Sequence, residues 1–419
     1  MNTDWKKNIV LFLTSQTISL FGSSLVQYAI LWHITLNTQS GVMMTISIIC
    51  GFVPMFLLSP FAGVWADRYS RKWLIVISDS LIAVSTLIMA ILFLLGYDSM
   101  WLLFVVSAIR SLGGGVQTPA VAAMLPQLVP EDKLTRIGGI NGSIQAMVML
   151  LSPMLSGALL SMASIEAIFF IDVITAAIAV ATLFLFVQVP LHAKAGAKQA
   201  ISYFADMRLG FDYIRQHAYI KSFFIFCAFF FVLAAPVSFL TPLQVTRTFG
   251  EDIWRLTAIE ITFSIGMMLG GLLMAAWPGF RNRVHTMTMS AFAVGLCTFA
   301  LGLIPVFWIY LGVMAVVGLA LPFFNTPSTV LLQEKVEPDY LGRVFGVLGM
   351  ISSSMMPLGM LVFGPLADMV RIEWLLMITG LLMFVQGFFL LGNKVLISAG
   401  NPAAAAAESS PGSLNGDSP

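Results

Sequence analysis

Twelve long apolar runs alternate with short polar breaks along this chain. They cover residues 9–36, 42–65, 74–96, 101–125, 137–161, 165–190, 220–246, 256–278, 285–304, 306–332, 343–367 and 373–393. An α-helix rises about 1.5 Å per residue, so about 20 mostly apolar residues cross the hydrocarbon core of a bilayer. The runs therefore predict twelve spanning helices. The first is longer than the roughly 7–15 apolar residues of a secretory signal core, and no clear cleavage site follows it, so it reads as a retained helix. All nine tryptophans, from Trp5 and Trp32 to Trp308 and Trp374, fall at or near predicted helix ends. An amphipathic ring prefers the depth where apolar and wet surroundings meet.

Composition narrows the class. Of 419 residues, 58% are hydrophobic and 10% charged, and the mean hydropathy is +0.93. A water-soluble domain carries roughly 25% charged residues. One aqueous core cannot hide so much apolar surface, so the chain reads as an all-α integral membrane protein. The lysines and arginines orient it. With the N-terminus inside, 17 of the 21 lie in inner segments, three (Arg247, Arg255, Arg371) lie outside, and Arg110 lies within a helix. That bias places both termini in the cytoplasm, which an even helix count permits. The net charge of +1 gives no reason to expect a nucleic-acid partner.

Cys50, Cys227 and Cys297 sit far apart inside apolar runs and read as small buried residues rather than a disulfide or metal set. The chain has no His-Glu-x-x-His pair, no Gly-x-x-x-x-Gly-Lys-Ser/Thr loop and only four histidines. Neither a metallohydrolase nor a self-contained ATP-driven pump fits that inventory, and no metal or cofactor is expected.

The two halves resemble each other at an offset of about 207 residues. Val129-Pro130-Glu131-Asp132 aligns with Val336-Glu337-Pro338-Asp339, and Ile165-Glu166 with Ile372-Glu373; Thr118-Pro119 aligns with Thr326-Pro327 one residue further on. This maps helices 4–6 onto helices 10–12, the mark of a duplicated six-helix unit. The expected organisation is a six-helix bundle over residues 1–190, a cytoplasmic linker over 191–219, a second bundle over 220–396 and a disordered tail over 397–419. Phe204, Met207, Phe211 and Ile214 recur at helical spacing around Arg208 and Arg215, so the linker is expected to hold an interfacial helix.

Three motifs carry candidate mechanism. The loop after helix 2 reads Gly63-Val64-Trp65-Ala66-Asp67-Arg68-Tyr69-Ser70-Arg71-Lys72. It resembles the signature of the major facilitator superfamily, with Ser70 where glycine is common. The resemblance implies a twelve-helix fold of two pseudo-symmetric bundles and a conformational latch made by Gly63, Asp67, Arg68, Arg71 and Lys72. The second-half copy, Gly279-Phe280-Arg281-Asn282-Arg283, has no acid, so the latch is one-sided. Helix 4 carries Arg110-Ser111-Leu112-Gly113-Gly114-Gly115, which is similar to an arginine motif of proton-coupled facilitators. An arginine in hydrocarbon costs about 2.5 kcal/mol or more, so it must face the bundle interior and find a partner. It serves either coupling or a structural ion pair. Gly113 and Gly114 admit a neighbouring helix. In helix 5, Pro153 and Gly157 partly match an antiporter motif or simply mark a kink.

Asp79, Asp172 and Glu260 are acids inside apolar runs. With Arg110 they are the proton-coupling candidates, because a carboxyl in low dielectric favours its neutral form; the alternative is a satisfied polar contact between helices. His33 reads as an interfacial residue. The run Leu332-Gln333-Glu334-Lys335-Val336-Glu337-Pro338-Asp339-Tyr340-Leu341-Gly342-Arg343 resembles the loop before helix 11 in the macrolide-efflux branch of the superfamily, as do Ile171-Asp172-Val173 and Ile259-Glu260-Ile261. That resemblance implies a monomeric drug:proton antiporter of the bacterial plasma membrane exporting bulky amphipathic macrolides. It also implies cooperation with a ribosome-protecting cytoplasmic ATPase. Export of an endogenous metabolite or siderophore is the other reading.

Overall fold

The computed structural model describes residues 4–187 and 203–401. These residues form α1 (Asp4–Thr38), α2 (Gly41–Arg68), α3 (Arg71–Leu94), α4 (Met100–Leu128), α5 (Leu134–Met162), α6 (Ile165–Phe186), α7 (Tyr203–Gln216), α8 (Ala218–Phe239), α9 (Thr241–Phe249), α10 (Ile253–Ala276), α11 (Arg283–Leu301), α12 (Phe307–Ala320), α13 (Pro322–Lys335), α14 (Pro338–Met369), α15 (Ile372–Gly392) and α16 (Lys394–Ala399). Among the described residues there is no strand, and twelve stretches are long and apolar enough to cross a membrane.

Twelve runs become sixteen helices for local reasons. The seventh run divides into α8 and α9 at Leu240, and the tenth into α12 and α13 at Leu321. A proline follows each break, Pro242 and Pro322, at the first turn of the new helix. Its ring lacks an N–H and clashes with the carbonyl four residues back, so an unbroken helix is costly there and a fresh start is not. Between α3 and α4, Gly96 takes a φ of 84°, a left-handed conformation in which a side chain would be strained.

The chain divides into two compact units. Among the described residues, unit 1 holds 4–187, 203, 235–264 and 356–372, and unit 2 holds 204–234, 265–355 and 373–401. Helices α8, α10 and α14 therefore contribute one part to each. In unit 1, α1 packs on α5 and α6, α4 packs on α2 and α3, and α3 packs on α6. Leu25, Phe93, Phe104 and Phe169 belong to one buried apolar cluster, and Ile9, Phe12, Met124 and Leu183 to another. Yet only 33% of the apolar window of α6 is buried, although its mean hydropathy is 2.5. The rest faces outward, as lipid-solvated surface should. In unit 2, α11 packs on α12 and α13, and Phe226, Phe230 and Phe324 stack within 5.8 Å of one another.

The expected linker helix is present as α7. Tyr213 on it stacks on Tyr340 with ring centroids 4.3 Å apart, while Arg208 and Arg215 are exposed. Residues 191–202 lie outside the described residues. So do residues 402–419, but residues 397–399, expected to begin a disordered tail, complete α16. Asn393 caps that helix by accepting from the N–H groups of Val395 and Leu396. Among the tryptophans, Trp32 packs inward. Helix α1 runs six residues past it, which places its ring in the core, wholly buried and 5.6 Å from Tyr28.

Candidate functional site

Unit 1 gathers the intramembrane charges. Arg110, on the third turn of α4, points into the bundle and meets Asp172 of α6, with Nη1 2.5 Å from Oδ2. Thr86 of α3 lies between them, accepting from Arg110 and donating to Asp172 Oδ2 at 3.1 Å. Helix α1 completes the ring: Ser23 donates to Asp172 Oδ1 at 3.3 Å, and its carbonyl accepts from Arg110 Nη2 at 3.1 Å. Four helices thus converge on one ion pair whose carboxylate is fully buried and whose guanidinium is 11% exposed. A buried pair tolerates loss of neither partner, since the survivor keeps its desolvation cost and loses its counter-charge. The close approach of α1 to α6 depends on Gly22, where a Cβ would collide with Thr175 and crowd Asp172.

Asp79 of α3 is also buried but meets no cation. Its Oδ1 accepts from Ser19 at 3.3 Å and from Gln117 Nε2 at 2.9 Å. Its Oδ2 has no hydrogen-bond partner among the described residues. Ser19 and Gln117 line a cavity of about 330 Å³ whose wall includes Arg110; Gln117 also lines a second cavity of about 930 Å³. Asp79 therefore stands one hydrogen bond behind the cavity wall. Glu260 of α10 is part of the larger cavity's wall, half-buried, and Tyr28 lines the same cavity. No ion pair or hydrogen bond joins it to another described residue. The three acids are therefore chemically distinct: Asp172 is neutralised by arginine, Asp79 is held by neutral donors, and Glu260 faces the cavity unpaired.

The basic residues of the loop after α2 make definite contacts. Arg71 donates through Nε to the Ala66 carbonyl at 3.0 Å and through Nη1 to the Ala123 carbonyl of α4 at 2.6 Å. Lys72 Nζ donates to the Phe184 and Val187 carbonyls at 3.0 and 2.8 Å. A cation on the last carbonyls of a helix offsets its dipole, so the pair closes the ends of α2 and α6. Arg68 is exposed, and the Asp67 side chain lies outside those described. Among the expected packing glycines, Gly113 abuts Ile82 of α3 and Gly157 abuts Thr257 of α10, and Pro153 is buried in α5. Gly114, and Gly63 of the latch motif, differ: no atom of a neighbouring helix lies within 4 Å of where a Cβ would stand. Gly114 widens the smaller cavity instead of admitting a helix. His33 is partly buried, edge-on to Phe93 at 6.2 Å.

Comparison with known proteins places this architecture. The profile described as Major Facilitator Superfamily matches residues 12–360. The chain belongs to that superfamily. It is 30% identical over 381 residues to "Macrolide efflux protein A" of Streptococcus pyogenes, covering 90% of this chain and 94% of the relative. It is 23% identical over 393 residues to the "Staphyloferrin A transporter" of Staphylococcus aureus, covering 92% and 96%. The fold matches that of the nucleoside transporter NupG with a TM-score of 0.67 at 18% identity, over 93% of this chain and 99% of that one. This major facilitator is thus a multi-pass membrane protein and an efflux transporter, not an enzyme.

One cluster in this facilitator escapes the sequence reading. Asp368, at the end of α14, accepts from the Gly41 and Val42 N–H groups at 2.8 and 3.0 Å and from the Ser40 hydroxyl at 2.7 Å. Arg247 of α9 pairs with the same carboxylate at 2.8 Å and donates to the Ala367 carbonyl at 2.6 Å. Asp368 is an N-cap for α2 supplied by a distant helix, anchored where the helix dipole is positive. A signal was present: Gly364-Pro365-Leu366-Ala367-Asp368 repeats the Gly-x-x-Ala-Asp of Gly63-Val64-Trp65-Ala66-Asp67.

Proposed function

We propose that this transporter exports macrolide-type antibiotics from the bacterial cytoplasm by alternating access, in exchange for protons. The observation that carries the reading is the pair of acids without a cationic partner, Asp79 behind the cavity wall and Glu260 on it, in a chain 30% identical to macrolide efflux protein A. A proton-coupled carrier needs a carboxyl that gains and loses a proton without an arginine holding it ionised. Asp79 meets that condition, reached from the cavity through Gln117. Arg110 and Asp172 act as a neutral hinge pin between four helices, and the loop from Gly63 to Lys72 as a conformational latch. A cavity of about 930 Å³ accommodates a bulky cargo.

The setting we infer is the plasma membrane, with both termini cytoplasmic, as the lysine and arginine bias favours. The chain acts as a monomer, alongside a ribosome-protecting ATPase in the cytoplasm. Expression in a macrolide-susceptible bacterium is expected to lower drug accumulation, and an uncoupler to restore it. Equal accumulation in expressing and empty cells would sink the drug assignment. Efflux that persists after the gradient collapses would sink proton coupling. A second reading, export of an endogenous metabolite or siderophore, is favoured by the likeness to the staphyloferrin A transporter. A metabolite panel in the same cells separates the two.

A further inference from the structure

Glu260 is the single charged side chain among the described residues lining the larger cavity of unit 1. The other polar groups on that wall are neutral amides and hydroxyls, such as Gln27, Asn141, Gln145 and Ser238. The nearby arginines are engaged elsewhere. Arg110 is held by Asp172 at 2.5 Å, and Arg255, five residues before Glu260 on α10, pairs with Asp252 at 3.2 Å and lies over the Trp254 ring. A carboxylate on a partly desolvated wall is costly unless it takes up a proton or something in the cavity supplies positive charge. Aromatic rings line the same space. Tyr28 lines it with Glu260, and Phe52 and Phe239 meet edge to face with centroids 6.1 Å apart. Ring faces attract a cation, the more so when it is bulky and weakly hydrated.

We propose that Glu260, with the rings of Tyr28, Phe52 and Phe239, forms a subsite for a bulky organic cation, so that this transporter selects amphipathic cargo carrying a positively charged group. The proposal rests on the drug-export reading above and deepens it. It gives Glu260 a role distinct from that of Asp79: Glu260 touches cargo, while Asp79 lies behind the wall and is held by Gln117 and Ser19. Neutral amides around the rest of the wall then tolerate varied polar decoration on an otherwise apolar cargo.

The test is equilibrium binding to purified, full-length protein at fixed pH with no gradient, which separates cargo recognition from coupling. Three probes are used: a macrolide bearing a dimethylamino sugar, the same macrolactone with that sugar removed, and tetraphenylphosphonium as a cation that is not a macrolide. Glu260→Gln is expected to weaken binding of both cations at least tenfold and to leave the neutral macrolactone unchanged; retained binding of the neutral probe also shows that the variant folds. Glu260→Asp is expected to recover part of the cation preference. Wild-type affinity of Glu260→Gln for both cations, equal loss of all three probes in both variants, or failure of the wild type to bind either cation overturns the subsite. If the wild type binds tetraphenylphosphonium through Glu260 but neither macrolide, the subsite stands and the macrolide assignment falls.

Discussion

Arg110→Ala is expected to abolish uphill export and to destabilise the protein by about 3–5 kcal/mol, the usual consequence of stranding one partner of a buried ion pair. The size of the effect follows from the setting. Asp172 is fully buried, and without Arg110 only Thr86 and Ser23 remain to hold it. Those hydroxyls hydrogen-bond to the carboxylate but do not neutralise it. Arg110→Lys keeps the charge but not the fork that reaches Thr86, Asp172 and the Ser23 carbonyl together, so partial recovery is expected. The double replacement Arg110→Ala with Asp172→Asn removes both charges and should regain much of the lost stability. Thermal unfolding of the purified variants measures the first effect, and drug accumulation in cells, normalised to membrane protein level, the second. Recovery of stability without recovery of export places the pair in the mechanism. Export by Arg110→Ala at the wild-type rate removes it.

Asp368→Ala should destabilise the start of α2 by roughly 2 kcal/mol, combining loss of an N-cap with loss of a partly exposed ion pair. Four donors share that carboxylate: two backbone N–H groups, the Ser40 hydroxyl and Arg247. The neighbourhood offers little slack, since Gly41 and Gly364 pack so closely that a Cβ at either would strike the other helix. A charge swap, Arg247→Asp with Asp368→Arg, discriminates between a simple salt bridge and a cap. It should fail to restore wild-type melting or efflux kinetics, because it sets a cation against the positive end of α2. Full rescue by the swap would show that the ion pair alone matters and that the backbone donors are incidental.

These two clusters mark what was legible in the sequence and what was not. Hydropathy has a period and a length scale fixed by the bilayer, so the twelve spans and the position of Arg110 deep in α4 could be read directly. That Arg110 needed a partner was also legible, because an unpaired guanidinium in hydrocarbon is untenable. Which of three acids would answer was not. Asp79 and Asp172 lie in equally apolar runs, and only the packing of α1, α3, α4 and α6 sends one to the arginine and the other to Gln117. Glycines mislead for the same reason. Gly113 and Gly114 are adjacent in sequence but about 100° apart around the helix, so one faces α3 and the other a cavity. Asp368 was overlooked because a helix-terminal acid looks ordinary until the helix it caps is known.

The setting of the carboxylates also bears on the electrical work of the cycle. Arg110 cancels the charge of Asp172, so that pair contributes nothing to charge movement while it stays intact. Asp79 and Glu260 have no cationic partner among the described residues, and each, when ionised, is one negative charge that a proton or a cationic cargo cancels. When a singly charged cargo leaves as one proton enters, no net charge crosses the bilayer, and the membrane voltage does no work on the exchange. When an uncharged cargo leaves for one proton, one positive charge moves inward, and each 100 mV contributes about 2.3 kcal/mol. Under the proton exchange proposed above, two carboxylates without counter-ions make the driving force a property of the cargo: the pH difference alone for a cation, and the pH difference together with the voltage for a neutral molecule.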